Sequence, residues 1–265
     1  MYNFKYQRPG SLDDAAKALA GAEDGTLVAG GMTLLPTMKQ RLAQPSDLVD
    51  LNAIDDLAGI SKEGDSIVIG AMTRHAVVAR STLVQEAIPA LAELAEAIGD
   101  PQVRNRGTIG GSVANADPAA DYPAGLVGLN ATVHTNKRTI AADDFFTALF
   151  ETALDEHEIV TGVSFPIPGK AAYMKFPNPA SRYAIVGVFV AQAADGVRVA
   201  VTGAAGSVFR VAAMEAALAD NFTSEALSGI AIADDDLNSD IHASADYRAH
   251  LVGVMAQRAV DKANA

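Results

Sequence analysis

Two segments with adjacent glycines constrain this chain most: Ala29-Gly30-Gly31-Met32-Thr33 and Thr108-Ile109-Gly110-Gly111-Ser112. Because glycine has no side chain, backbone amides in such segments can approach a ligand phosphate closely and form an anion-binding nest. Each segment is followed by residues that can begin a helix, whose N-terminus also favours anions. Two such segments predict a pyrophosphate held from two sides, and a dinucleotide cofactor is the simplest ligand of that shape.

Composition excludes several classes of protein. The 265 residues are 49% hydrophobic, which allows a sizeable core, and the formal net charge of −12 argues against a nucleic-acid partner. No apolar run reaches the roughly 18 residues needed to cross a bilayer, so no membrane span is expected. The N-terminal residues lack the apolar stretch of a signal peptide, which favours a cytoplasmic protein.

The absence of cysteine removes disulfides, thiol catalysis and cysteine-ligated iron–sulfur clusters from this chain. The five histidines do not form ligand pairs with the spacing of a zinc site. We therefore predict no metal site and no catalytic side chain, and we interpret the histidines as structural or surface residues. These histidines are His75, His134, His157, His242 and His250.

The pattern of elements predicts an α+β fold. Ser11 is placed to cap a helix, and the first 57 residues or so alternate between helix and strand. Helices and strands continue to about residue 170, where the character changes. Ala194-Asp195-Gly196 is a hairpin signal between two apolar runs, and residues 244–263 form an amphipathic helix that Ser244 can cap. A boundary is therefore expected near residue 170.

Residues 29–39, AGGMTLLPTMK, and residues 99–124, GDPQVRNRGTIGGSVANADPAADYPA, resemble the FAD-binding medium subunit of molybdenum hydroxylases. The likeness includes the medium subunit of carbon monoxide dehydrogenase and the FAD module of xanthine dehydrogenase, and it extends over the whole chain. The pattern TIGG-x5-DP-x2-D is specific, whereas a lone pair of glycines would be a weak signal.

The resemblance implies a two-part FAD-binding domain of the vanillyl-alcohol-oxidase type over residues 1–170, with subdomains of about 1–57 and 58–170. A small α+β domain would follow over 171–265. It also implies two partners, a small subunit with [2Fe–2S] clusters and a large molybdopterin subunit, assembled as a dimer of heterotrimers. Electrons would pass from the clusters through FAD to an external acceptor.

The same resemblance implies which residues bind FAD. Backbone amides of the two glycine segments would wrap the pyrophosphate, while Tyr183 would cover one face of the flavin. The cofactor-binding residues carried over in this way are Ala29, Gly30, Gly31, Met32, Thr33, Ile98, Thr108, Ile109, Gly110, Gly111, Ser112, Asp117, Asp121, Val160, Lys175 and Tyr183.

Simpler interpretations stay open for single residues. Asp117 and Asp121 are also typical of loops and caps, Lys175 of a solvated surface, and Tyr183 of a packed core. Arg104 and Arg106 either bind phosphate or face a partner or solvent, and the second alternative is expected. Two rival functions remain: a self-sufficient FAD-dependent oxidoreductase, which needs a proton-transfer group beside the flavin, and a flavin-free assembly protein, which intact glycine segments disfavour.

Overall fold

A computed structural model describes residues 1–265, in which helices pack on three principal β-sheets. The first sheet is parallel, with the strand order β1-β3-β2. Its elements are β1 (Lys5–Gln7), α1 (Leu12–Ala20), β2 (Gly25–Val28), α2 (Leu34–Lys39) and β3 (Asp47–Asp50). Parallel strands need crossover connections, and α1 and α2 supply them. The first glycine segment is the link between β2 and α2.

The second sheet is antiparallel, with the order β4-β5-β10-β6-β7. Its strands are β4 (Ile60–Glu63), β5 (Ser66–Gly70), β6 (Thr132–Thr135), β7 (Thr139–Ala141) and β10 (Val160–Pro166). Two short strands, β8 (Phe146–Ala148) and β9 (Glu151–Thr152), form a separate hairpin before β10.

The chain between β5 and β6 forms six helices. They are α3 (His75–Arg80), α4 (Thr82–Ala87), α5 (Pro89–Glu96), α6 (Pro101–Arg104), α7 (Ile109–Asn115) and α8 (Tyr122–Gly128), followed after β7 by α9 (Ala142–Phe145). Leu91 and Leu94 of α5 and Leu126 of α8 are fully buried in the largest apolar core. This core joins the second sheet to the third.

The third sheet is antiparallel in the order β11-β12-β13-β14. Its elements are β11 (Lys170–Pro177), β12 (Ala184–Ala193), β13 (Gly196–Thr202) and β14 (Phe209–Arg210), followed by α10 (Ala212–Asp220) and α11 (Ala245–Asn264). None of the helices combines the length and apolar character required to cross a bilayer.

Side chains of β12 are buried on both faces of this sheet. Successive side chains of a strand point to opposite faces. Phe189 and Ala191 belong to the core shared with α5 and α8, while Val188 and Val190 belong to a second core formed with α10 and α11. Burial on both faces accounts for the unbroken apolar run in the sequence, and it fixes the third sheet against α5 and α8.

Several local predictions are confirmed. The α+β class is correct. Ser11 caps α1, since its hydroxyl accepts a hydrogen bond of 3.2 Å from the Asp14 amide. The predicted hairpin joins β12 and β13, with Ala193 paired to Gly196. Ser244 precedes α11 as expected, but its side chain makes no capping hydrogen bond.

A buried carboxylate holds the loop that leads into β10. Glu158 accepts hydrogen bonds from Arg138 at 3.1 Å, Thr135 at 2.6 Å and the Asp155 amide at 2.8 Å. Burial alone would raise its pKa, but these donors prevail and lower the pKa of Glu158 to about 2. The loop is therefore stabilised by the ionised form of Glu158.

Replacement of Glu158 by Gln should lower the free energy of unfolding at pH 7 by roughly 1 to 3 kcal/mol, as expected for hydrogen bonds to a charged group. Because the pKa of Glu158 in the folded protein lies below its ordinary value of 4.5, the stabilisation is complete above pH 4.5 and disappears as the pH falls towards 2. Urea unfolding of both proteins across this range measures the difference.

The exposed Glu86 provides a matched control. Glu86→Gln should leave stability within about 0.5 kcal/mol of the wild type at every pH. A Glu158→Gln deficit that does not shrink at low pH would contradict the assigned role of the carboxylate.

Candidate functional site

One cavity of about 460 Å³ has both glycine segments on its wall. The wall also includes Ile159 and Val160 at the start of β10, and residues 181–183, which precede β12. The volume falls within the range of about 300 to 1,000 Å³ that is typical of small-molecule and cofactor pockets. Segments adjoining all three principal sheets therefore contribute to one site.

The first glycine segment lies directly against the backbone before the second. A Cβ atom at Gly30 would collide with the carbonyl oxygen of Arg106, so only glycine permits this contact. Gly31 has φ of 71°, a left-handed conformation that favours glycine. The Asn52 side chain donates a 2.8 Å hydrogen bond to the Ala29 carbonyl oxygen and secures the start of the segment.

The amides of Gly30, Gly31, Met32 and Thr33 donate to no acceptor in the protein. Gly30 is buried and Gly31 is half-buried, whereas Met32 and Thr33 are exposed, and all four residues lie together on the cavity wall. Adjacent free amides are the donors that an anion such as a phosphate accepts from a nest. The first segment therefore offers free backbone donors of the kind that the predicted pyrophosphate site requires.

The second glycine segment differs from its prediction. Its glycines form the first turn of α7 instead of a turn before a helix, with the Thr108 hydroxyl accepting a 3.2 Å hydrogen bond from the Gly111 amide. A Cβ at Gly110 would lie 2.5 Å from the Cβ of Ala71, so glycine is required here for packing against the residue that follows β5. The sequence shows the two glycines but not which atoms lie beside them.

Most amides of this segment are already used within the protein. Ile109 donates to the Thr73 carbonyl at 3.0 Å, Gly110 to the Ala71 carbonyl at 2.8 Å and Ser112 to the Thr108 carbonyl at 3.0 Å. Only the Thr108 amide has no protein acceptor. The prediction that amides of both segments bind the pyrophosphate therefore has fewer available donors than expected on the second side, because the free amides belong mainly to the first segment.

Fourteen of the sixteen predicted cofactor-binding residues lie on the cavity wall. They are Ala29, Gly30, Gly31, Met32, Thr33, Ile98, Thr108, Gly110, Gly111, Ser112, Asp117, Asp121, Val160 and Tyr183. The other two lie outside it. The Ile109 side chain is fully buried in the core beneath α7, and Lys175 on β11 reaches the cavity only through Asp121.

Asp121 connects the cavity to the third sheet. Its carboxylate accepts a 2.6 Å hydrogen bond from the Tyr173 hydroxyl and lies 2.9 Å from the Lys175 Nζ atom. Lys175 also donates to the Ala97 carbonyl at 3.1 Å. Burial raises the pKa of Asp121, and the Lys175 ammonium opposes that rise. Neither side chain is a free surface group, and Lys175 serves to neutralise and position the Asp121 carboxylate.

Tyr183 lies at the cavity edge after a turn that Asn178 organises. The Asn178 amide nitrogen donates to the Tyr183 carbonyl at 2.8 Å, and the Asn178 side-chain oxygen accepts from the Ala180 amide at 2.9 Å. The Tyr183 side chain remains 41% exposed, so it is not the packed core aromatic of the simpler interpretation. Partial burial, followed by the charge of Asp117, raises the pKa of its hydroxyl.

The structure decides between two alternatives for His75 and corrects the interpretation of Arg104. His75 is not a surface residue, since it is 4% exposed and lies on the cavity wall. Arg104 does not face solvent freely, because it donates to the carbonyl oxygens of Ile98 at 3.0 Å and Gly99 at 3.2 Å and so holds this part of the wall. Arg106 is exposed, as expected. No sequence pattern around a single histidine or arginine predicts that it lies at the cavity wall.

The family described as "FAD binding domain in molybdopterin dehydrogenase" matches residues 2–168, and "CO dehydrogenase flavoprotein C-terminal domain" matches residues 171–263. Among similar curated proteins, the nicotine 6-hydroxylase medium subunit of Paenarthrobacter nicotinovorans is 38% identical over 98% of this chain and 97% of its own length. The carbon monoxide dehydrogenase medium chain of Hydrogenophaga pseudoflava is 37% identical over 98% and 96%.

A solved structure of reconstituted carbon monoxide dehydrogenase from Oligotropha carboxidovorans contains a similar chain. It superposes with a TM-score of 0.91 at 34% identity and covers 99% of this chain and 98% of that one. The similarity therefore extends over nearly the whole chain and is not limited to the two glycine segments.

The contact at Gly30 generates a prediction. Gly30→Ala should lower the free energy of unfolding by about 1 to 3 kcal/mol or more, because the added Cβ must push the two glycine segments apart. Gly10→Ala is the matched control, since a Cβ there meets no atom within 4 Å. Thermal unfolding measures both variants, and equal midpoints for Gly30→Ala and the wild type would contradict the close contact.

The Asp121–Lys175 pair generates a second prediction. Asp121→Asn or Lys175→Gln alone should cost roughly 3 to 5 kcal/mol, because each leaves a buried charge without its partner. The double variant should cost less than the sum of the two. Unfolding in urea measures all three proteins.

The control is Lys62→Gln, at an exposed position of β4, which should change stability by less than about 0.5 kcal/mol. Strict additivity of the Asp121 and Lys175 substitutions would show that the two side chains do not act together.

Proposed function

Because the chain belongs to the family of FAD-binding medium subunits of molybdenum-containing dehydrogenases, we propose that it transfers electrons within a multi-subunit complex of that kind. Its cofactor is FAD, and it is a subunit of an oxidoreductase. We further propose that its role is to take electrons from [2Fe–2S] clusters of a partner and deliver them through FAD to an external acceptor.

The single observation that carries this proposal is the row of free amides at residues 30–33 on the wall of a cofactor-sized cavity. These amides would hold the FAD pyrophosphate, with the Thr108 amide facing it from the second segment. FAD supplies the redox chemistry, since a flavin accepts or releases one or two electrons. The protein orients the cofactor and adjusts its electrostatic surroundings.

Other wall residues would shape the rest of the FAD site. Ile98 and Val160 offer apolar contacts, and Tyr183 would lie against the flavin at the cavity edge. Asp121 would contact FAD while Lys175 and Tyr173 hold its carboxylate in place. Asp117 is half-buried on the same wall and is fixed by a 2.9 Å hydrogen bond from the Ala119 amide.

The proposed partners are a small subunit with [2Fe–2S] clusters and a large molybdopterin subunit, assembled as a dimer of heterotrimers. Relatives named medium subunit or medium chain support this arrangement. The chain itself contains no cysteine with which to hold an iron–sulfur cluster. Within the chain, we propose an FAD-binding domain over residues 1–170, with parts of about 1–57 and 58–170, and a C-terminal domain over 171–265.

We propose that this chain does not determine which substrate the complex oxidises. The similar proteins are named for nicotine and for carbon monoxide, although they cover nearly the whole chain at almost the same identity. Substrate choice therefore belongs to a partner, and the present chain supports the electron-transfer step that such complexes share.

Co-expression with the two proposed partners tests the function. Size-exclusion chromatography should yield one complex containing all three chains, with about one FAD per copy of this chain released into the supernatant by acid precipitation. Anaerobic addition of a substrate for the complex should bleach the flavin absorbance only when the cluster-bearing subunit is present.

Two outcomes would contradict the proposal. One is FMN in place of FAD, or flavin that remains in the acid pellet. The other is a separate chain that turns over a substrate of its own with FAD alone, which would establish the self-sufficient oxidoreductase instead.

A further inference from the structure

The second side of the cavity lacks the free backbone donors of the first. Within residues 108–112, the amides of Ile109, Gly110, Gly111 and Ser112 donate to protein acceptors. An anion lying between the two glycine segments would therefore meet four free amides on one side and only the Thr108 amide on the other. A further donor on the second side must come from a side chain.

His75 is placed to supply that donor. It is the first residue of α3, and its amide donates a 3.0 Å hydrogen bond to the Gly107 carbonyl, immediately before the second glycine segment. An isolated bridge pairs the preceding Arg74 with Thr108. The imidazole is 4% exposed and lies on the cavity wall.

The His75 imidazole packs so closely against Gly107 that no side chain would fit at residue 107. A Cβ at Gly107 would lie 2.6 Å from the His75 Nε2 atom and 2.8 Å from its Cδ2 atom. Gly107 is itself on the cavity wall. The Nε2 edge of the ring therefore lies against the residue immediately before the second glycine segment.

The opposite edge of the ring has no partner. The buried His75 Nδ1 atom makes no hydrogen bond, and neither does the hydroxyl of Tyr122, whose ring centroid is 5.4 Å away. A buried N–H without an acceptor is rarer in proteins than a buried acceptor without a donor. We therefore assign the ring proton to Nε2 and leave Nδ1 unprotonated.

His75 is uncharged near neutral pH in the protein without cofactor. Burial, followed by the positive charge of Arg104, lowers the pKa of His75 to about 4. A neutral imidazole has a single N–H to donate, and its one N–H is on the edge beside Gly107.

We propose that His75 is a further FAD-binding residue, which donates a hydrogen bond from Nε2 to an oxygen of the FAD pyrophosphate on the side opposite the free amides of residues 30–33. The inference rests on the proposed function in taking the cavity between the glycine segments as the FAD site. With His75 included, the pyrophosphate site has backbone donors on one side and a side-chain donor on the other.

Three substitutions separate hydrogen bonding from packing. The amide nitrogen of Gln reaches the position of Nε2, that of Asn reaches only the position of Nδ1, and Phe keeps a ring without a donor. His75→Phe and His75→Asn should weaken FAD binding roughly ten- to hundredfold, the loss expected for a hydrogen bond to a charged group. His75→Gln should bind within about threefold of the wild type.

Flavin fluorescence titration of the full-length chain measures the dissociation constants, with thermal unfolding of each variant before FAD is added. A wild type that fails to bind FAD would overturn the proposed function itself. A wild type that binds, together with His75→Asn binding equally well, would overturn only the present inference. The same holds if His75→Gln is as weak as His75→Phe, since packing would then be the cause.

A spectroscopic measurement tests the proposal on the wild-type protein itself, and it uses one variant only to assign the His75 signals. In protein labelled with ¹⁵N-histidine, the His75 resonances, assigned by their loss in His75→Gln, should show the proton on Nε2 and should shift when FAD is added. A proton on Nδ1 would overturn the inference. At saturating FAD, the ³¹P signals of the pyrophosphate should differ between wild type and His75→Asn, and identical signals would overturn the assignment to the pyrophosphate.

Discussion

The contact between Gly30 and the backbone of Arg106 and Gly107 is the constraint on which the site depends. No side chain fits between these two stretches, so the link after β2 and the start of α7 are held against each other although they are far apart in the sequence. The cavity takes its shape from this contact. The free amides of residues 30–33 face one side of it and the Thr108–Ser112 segment forms the other.

Each side of the contact is secured separately. Asn52 holds the Ala29 carbonyl, and the close approach of Gly110 to Ala71 fixes α7 against the end of β5. The third sheet is connected to the site by the buried Asp121–Lys175 pair, which joins the cavity wall to β11. A site assembled from three sheets in this way is held by several independent contacts, which suits the proposed task of orienting a flavin.

The sequence was sufficient for the features that depend on local chemistry. The cap at Ser11, the hairpin at Ala194-Asp195-Gly196 and the requirement for glycine at residue 31 follow from residue types and their neighbours. The family pattern added the cofactor, and it named most of the residues that surround the cavity. It could not separate residues that touch the cavity from those that support it, so Ile109 and Lys175 were placed with the rest.

What the sequence missed depends on contacts between distant segments. That the second glycine pair lies inside a helix, that its amides are already bonded, and that His75 and Arg104 line or support the cavity wall are all consequences of where β5, α3 and α6 pack. A lone histidine has the same appearance in a sequence whether it lies on the surface or beside a cofactor. Only the three-dimensional arrangement shows that its Nε2 edge lies against Gly107.

Amide hydrogen exchange, resolved to single residues and measured with and without FAD, tests the central claim most directly. The account predicts that the amides of residues 30–33 exchange rapidly in the protein without FAD and become protected when FAD binds. The amides of residues 109–112, already bonded within the protein, should be protected in both states. FAD binding that leaves residues 30–33 unprotected would contradict the account, because the cofactor would then be held by other groups.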